Sequence, residues 1–299
     1  MGKSALALVL ATLAGVLAIF AIWANQQVLD PGGWSSVSRE LLKSDEVRHR
    51  VAVFLGDTLV EETESQLLAA GEGETAARVM PRLRRDDVRL AERVMATPRF
   101  RAIWETANRT GHAALLKVLD EEEVGTGEGG VAVDLTPALR RVADLLGREG
   151  LAEELGVANL GDLVEPGAAR IEVLEAEELE QAQDVVGIVR DLTVPAVLAA
   201  LAFYALALFL GRWWLARAFL GVGVALLATG ALALIVRAVA GHAVVDQLLA
   251  ADSDREAADA AWRVATSTVS DISIGVIIVG ALVIAAVATR SLFFRERYQ

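Results

Sequence analysis

The 299-residue chain is 54% hydrophobic and 23% charged, carries a net charge of −12 and contains no cysteine. Without cysteine there is no disulfide framework, CxxC redox pair or cysteine zinc site, and the acidic balance excludes the basic surface that a nucleic-acid partner needs. An ordinary charge load on so apolar a chain means that charged and apolar residues are segregated along it, and disorder is excluded at this apolar content.

Ala5–Ala24 is the first of four stretches with no charged residue; the others are Leu192–Leu210, Ala218–Val236 and Ile272–Ala288. Their lengths, 20, 19, 19 and 17 residues, match the roughly 20 apolar helical residues that cross a bilayer core about 30 Å thick. The pattern predicts an all-α membrane protein, a four-helix transmembrane bundle with a mainly helical ectodomain. Residues 1–24 are expected to be an uncleaved signal anchor. Lys3 supplies a short basic start, but the 20-residue run exceeds the roughly 7–15 apolar residues of a cleaved leader. Ile22 also stands where cleavage after Ala24 would want a small side chain.

Residues 25–191 come next. Asp30-Pro31-Gly32-Gly33 reads as a turn. Ser44 caps an expected helix over about 45–70, with Val47, Val51, Phe54 and Leu55 on one stripe, and residues 71–74 break it. A second helix is expected over about 85–95. Thr97-Pro98 is a cap followed by proline at the first helical position. The helix behind it, to about residue 122, carries Phe100, Ile103, Trp104, Ala107, Ala114 and Val118 at helical spacing. Beyond the glycine-rich linker Gly125–Gly130, the alternating run Val131–Leu135 leads into a second such start, Thr136-Pro137. Arg170–Leu174 is expected to pair with that run as a small two-stranded sheet beside the helices. Leu179, Ala182, Val186 and Val189 then define a helix with no break before Pro195, already inside the second span.

The spans at 192–210, 218–236 and 272–289, joined by the turn 211–217 and the loop 237–271, complete the chain before the tail 290–299. The polar groups of all four spans, Thr12, Thr193, Tyr204, Thr229 and Ser273, read as hydroxyls in packed helices. Ala7, Ala11 and Gly15 form one small-residue ridge, Gly221, Ala225 and Thr229 another, and Gly280 lies on the fourth span. In the loop, Ser253-x-x-Glu256 is a capping-box pattern. Ala257, Ala261, Trp262 and Ala265 form a face expected to dock on the ectodomain rather than lie on the bilayer.

Lysine and arginine set the orientation. The N-terminal flank, the turn and the tail together carry +5, whereas 25–191 carries −14 and 237–271 carries −3. Both termini are therefore expected in the cytoplasm and both acidic segments outside. The expected interface anchors are Trp23 at the outer end, Trp213, Trp214, Arg212 and Arg217 at the inner turn, Phe293 and Phe294 in the tail, and Arg237, snorkelling from the end of the third span.

His49, His112 and His242 are the only histidines, and no HExxH or paired spacing occurs. Glu105 lies two helical turns before His112 on roughly one face, the one acid–base candidate. Asn108 and Arg109 share that helix, so Glu105, Asn108, Arg109 and His112 make a candidate polar cluster, read as structural before it is read as a binding site. Asp120–Glu123 reads as a solvated helix end. Asp252–Glu256 opens like a calcium loop but lacks the turn glycine and the closing acid. Gly125–Gly130 lacks the Lys-Ser/Thr ending of a phosphate loop, and no GxSxG or SxxK nucleophile is present. No cofactor or metal is implied.

The order of several features carries a resemblance. They are an anchor ending in Trp23-Ala24; Val28-Leu29-Asp30 followed by Trp34; the Thr97–His112 block with Trp104, Ala107, Asn108, Arg109 and His112; the Val131–Pro137 strand-to-helix step; and the rod Glu178–Val186. In this order the chain resembles uncharacterised four-pass integral membrane proteins of high-GC Gram-positive (actinobacterial) bacteria that carry an external helical domain. The 25 arginines against 3 lysines fit such a genome. The resemblance covers nearly the whole chain and implies an envelope protein, but it supplies no catalytic residues.

The expected function is non-catalytic: a cell-envelope membrane protein whose ectodomain is an interaction, scaffold or sensing module. Its expected partners are the lipid bilayer, an envelope protein and, as a further option, a second copy of itself; nucleic acid is not among them. The alternatives are a transporter or channel component, which needs a polar path between spans, and an externally active enzyme using Glu105 and His112.

Overall fold

A computed structural model describes residues 2–120, 131–146, 159–174, 176–248 and 255–296. The linker Gly125–Gly130, the acids 121–123, the residues 252–254 of the calcium-like run and the side chains of Phe293 and Phe294 lie outside the described set. The chain forms two compact units, one of residues 31–183 and 251–261 and one of residues 1–30, 184–250 and 262–299.

The first unit is helical, with α2 (Pro31–Leu41), α3 (Asp45–Ala69), α4 (Gly73–Met95), α5 (Pro98–Asp120) and α6 (Thr136–Leu146). The turn expected at 30–33 is instead the start of α2. Pro31 takes the first helical position, where its fixed φ suits the helix and its missing N–H costs nothing. Ser44 caps α3 by accepting from the Val47 amide at 3.4 Å. At the far end Gly71 adopts φ +77°, Glu72 N donates to Leu67 O and Gly71 N to Leu68 O. This paired closure needs the left-handed residue that glycine supplies. The next helix is longer than expected: α4 begins at Gly73 and runs through Pro81, so tertiary packing outweighs the proline penalty. Thr97 caps α5 through Phe100 N at 3.2 Å. At α6 the cap differs from expectation. Asp134 Oδ1 accepts from Thr136 N at 2.8 Å, while the Thr136 hydroxyl accepts from Ala169 N at 3.3 Å.

One core joins these helices. Leu55 and Leu59 of α3, Val79 and Leu83 of α4, Phe100 of α5 and Leu139 and Val142 of α6 are all buried within it. Burial of apolar surface on this scale is what holds short helices that would be marginal alone. Strands β1 (Val131–Asp134) and β2 (Arg170–Leu174) pair antiparallel, with Val133 opposite Ile171 and an irregularity between Val131 and Ala132.

The second unit holds four helices long and apolar enough to cross a membrane, over Gly2–Val28, Val186–Leu210, Arg212–Asp246 and Ser267–Arg290. This is an all-α, multi-pass membrane protein. α1 (Gly2–Trp23) ends in a π-turn at Ala24–Val28, closed by Leu29 N donating to Ala24 O at 2.9 Å. α7 (Ala176–Leu210) is one helix through Pro195. α8 (Leu215–Leu248) extends well past Val236, and after α9 (Arg255–Ala265) the last helix, α10, covers Ser267–Glu296.

Small residues set the helix spacing. Ala7, Ala11 and Gly15 of α1 are buried, and a Cβ on Gly15 would stand 2.8 Å from Thr229 Cγ2. On α10, a Cβ on Gly280 would stand 2.8 Å from the Gly223 carbonyl, and one on Gly230 of α8 would stand 2.5 Å from that of Ser273. Backbones approach this closely only where side chains are absent, which is how helices associate in lipid without a hydrophobic drive between them. α7 is tied in by hydroxyls: Tyr204 Oη lies 2.9 Å from Thr229 Oγ1 of α8, and Thr193 Oγ1 donates to Ala21 O of α1 at 3.3 Å.

Candidate functional site

A groove of about 850 Å³ opens in the helical unit between α2, α3, α4 and α5. Four segments line it at the same i, i+3, i+4 spacing, three of them being Arg39, Leu42 and Lys43; Asp45, Arg48 and His49; and Arg101, Trp104 and Glu105. Glu92, Met95 and Ala96, at the junction of α4 and α5, complete the lining. The floor is apolar, made by Leu42, Met95 and Trp104, all buried. Trp104 is fixed from below. Its indole N–H donates to Ser38 O at 2.9 Å and its ring packs against Phe100 at 6.5 Å between centroids. The polar edge of the indole is thus satisfied inside the fold while the residue lines the groove.

The rim is charged. His49 Nδ1 and Glu92 Oε1 lie 2.8 Å apart, joining α3 to α4. Lys43 pairs with Glu40 at 2.6 Å, and Arg48 pairs with Asp45. Among the described residues, two guanidiniums have no carboxylate partner. There, Arg39 donates only to Ser35 O and Ser36 Oγ of its own helix, and Arg101 only to Ala96 O. Glu105 has no ion-pair partner among the described residues.

The expected polar cluster is divided between rim and interior. Glu105 lines the groove. Asn108 is buried and donates to Trp104 O at 3.0 Å, and Arg109 is exposed. His112 is buried and stacks on Trp34 of α2, centroids 5.1 Å apart and planes 8° from parallel. Glu105 thus faces the groove, whereas His112 is not part of that groove's lining. No group of three histidine or carboxylate side chains converges on a metal-sized site among the described residues.

The interface anchors also have definite partners. Arg212 lies 4.6 Å from the Phe209 ring centroid and Arg217 4.7 Å from that of Trp214; Arg212 also lies 5.7 Å from that of Trp213. Arg237 does not end its helix. It turns back to the C-terminus of α9, donating to Thr266 Oγ1 at 2.7 Å and Arg263 O at 3.5 Å, where a cation offsets the helix dipole. Trp23 Nε1 donates to Ala265 O at 2.7 Å. Trp262 is seated on α8. It packs against Gly241 and donates to Arg237 O at 3.2 Å. The glycine at 241 leaves the space that the indole fills.

Sequence reasoning missed most of the groove. Arg39, Lys43, Arg48, His49, Glu92 and Arg101 lie on separate segments, and the shared i, i+3, i+4 spacing does not say that the segments meet. No protein-family model, curated protein or solved structure matches the chain.

Proposed function

We propose that this is a non-catalytic cell-envelope protein whose helical unit is a ligand-binding or sensing module held at the membrane by four spans. The observation that carries the reading is the groove. Its volume lies within the roughly 300–1,000 Å³ of small-molecule sites, and an apolar floor with a few placed charges is their usual lining. The basic flanks support an orientation with both termini cytoplasmic and residues 25–191 and 237–271 outside. The same reading takes the first span as an uncleaved signal anchor and the chain as one of the actinobacterial four-pass proteins it resembles.

Photo-crosslinking in native membranes tests the proposal. A photoreactive side chain at Ala96, exposed on the groove lining, is expected to form a defined adduct. One at Ser65, on a different surface of α3, is expected to form none. Equal labelling at both positions, or none at Ala96, contradicts a binding groove.

A further inference from the structure

Resting on that reading, we infer that the groove holds a single-chain anionic amphiphile. A carboxylate or phosphate head is taken by Arg39 and Arg101, and the apolar body lies on Leu42, Met95 and Trp104. The charge argument turns on which groups are already engaged. Of the three lining acids, Asp45 is bonded to Arg48 and Glu92 to His49. Of the cations, Arg39 and Arg101 hold only backbone and hydroxyl acceptors among the described residues. A guanidinium offers a planar fork of donors that matches a carboxylate or phosphate better than it matches a lone carbonyl. The Lys43 and Arg48 pairs are exposed, with Glu40 56% and Asp45 85% accessible. Exposed pairs are weak, so both cations can turn toward an arriving head at little cost.

The apolar body is required by the rest of the molecule. Segment 25–191 carries −14, which repels a small soluble anion at long range. Burial of the amphiphile chain's own apolar surface in the groove, over the floor of Leu42, Met95 and Trp104, supplies the attraction that offsets this repulsion. Glu105 also lines the groove, so it opposes the head. That gives the inference a sign: neutralising Glu105 tightens an anion and weakens a cation.

The test is calorimetric titration of the full chain in lipid nanodiscs, with empty nanodiscs subtracted. The probes are octyl phosphate, inorganic phosphate, 1-octanol and octyltrimethylammonium. Octyl phosphate is expected to saturate one site, with inorganic phosphate and octanol each about tenfold weaker or more. R39A/R101A is expected to weaken octyl phosphate about tenfold or more, E105Q to tighten it, and R84A, on another surface, to leave it unchanged. Octanol binding as tightly as octyl phosphate, or full affinity in R39A/R101A, overturns the inference. Tighter binding of the ammonium probe overturns the charge assignment while leaving a binding groove in place. Saturable binding by none of the probes overturns both.

Discussion

The imidazole of His112 lies flat on the indole of Trp34, ring centroids 5.1 Å apart and planes 8° from parallel. The stack joins α5 to α2, and His112 is only 5% exposed. His112→Ala removes both the stack and buried volume and is expected to cost about 2 kcal/mol or more. His112→Phe keeps a ring of similar size and is expected to cost under about 1.5 kcal/mol. Urea unfolding of the full chain in detergent measures both. Equal losses would show that a polar bond of His112, not its stacking, carries the contact.

Thr63 is 1% exposed in α3, and its hydroxyl has no hydrogen-bond partner among the described residues. A buried hydroxyl without a partner costs about 1–3 kcal/mol, whereas an apolar group of the same shape does not. Thr63→Val is therefore expected to raise the unfolding midpoint, by about 1 kcal/mol in stability. A lower midpoint would mean that the hydroxyl is satisfied.

Asp87 faces α3 across the close pass at Gly56, where a Cβ would stand 3.2 Å from Asp87 Cβ. Burial, aided by Asp57 and Asp86, raises its carboxyl above the ordinary value of 3.8 despite the bond from Val88 N. A raised carboxyl binds its proton more tightly in the fold than in the unfolded chain. Its contribution to stability is present below the unfolded value and is lost as pH rises through the folded one. Asp87→Asn keeps an oxygen for Val88 N and stays neutral. The variant is expected to be more stable than the parent at about pH 7, with the difference shrinking toward about pH 4. Thermal unfolding at several pH values checks this, and a difference independent of pH would contradict it.

In the membrane unit, Gly230→Ala would place a methyl 2.5 Å from the Ser273 carbonyl, a backbone atom that cannot rotate away. α8 and α10 must separate, at a cost of about 1–3 kcal/mol. Gly275, with open space around its Cβ position, is the control, and Gly275→Ala is expected to be neutral or stabilising. Thermal unfolding in detergent ranks the two. A Gly230→Ala protein as stable as the parent would show that the helix pair is not set by this contact.

The sequence revealed what local rules govern. The uncharged runs, the Ser44 and Thr97 caps and the ridge of Ala7, Ala11 and Gly15 each follow from residues close together in the chain. What it hid depends on distant partners. α4 passes through Pro81 because the helix buries Val79 and Leu83 in the shared core. α8 passes Arg237 because that side chain finds Thr266 and Arg263 on the following segment. The groove was the least legible feature. Of its lining, Trp104 and Glu105 stood out through their own helix and His49 only as one of three histidines, none of them through the residues they face.

The helical unit is proposed to face the outside of the cell, and the absence of cysteine makes that directly measurable. Ser65→Cys puts one thiol on the exposed face of α3, and Gly2→Cys puts one at the first residue of α1. With a membrane-impermeant maleimide on intact cells, Ser65→Cys is expected to label at once and Gly2→Cys only after permeabilisation. Labelling of Ser65→Cys only after permeabilisation would contradict the account.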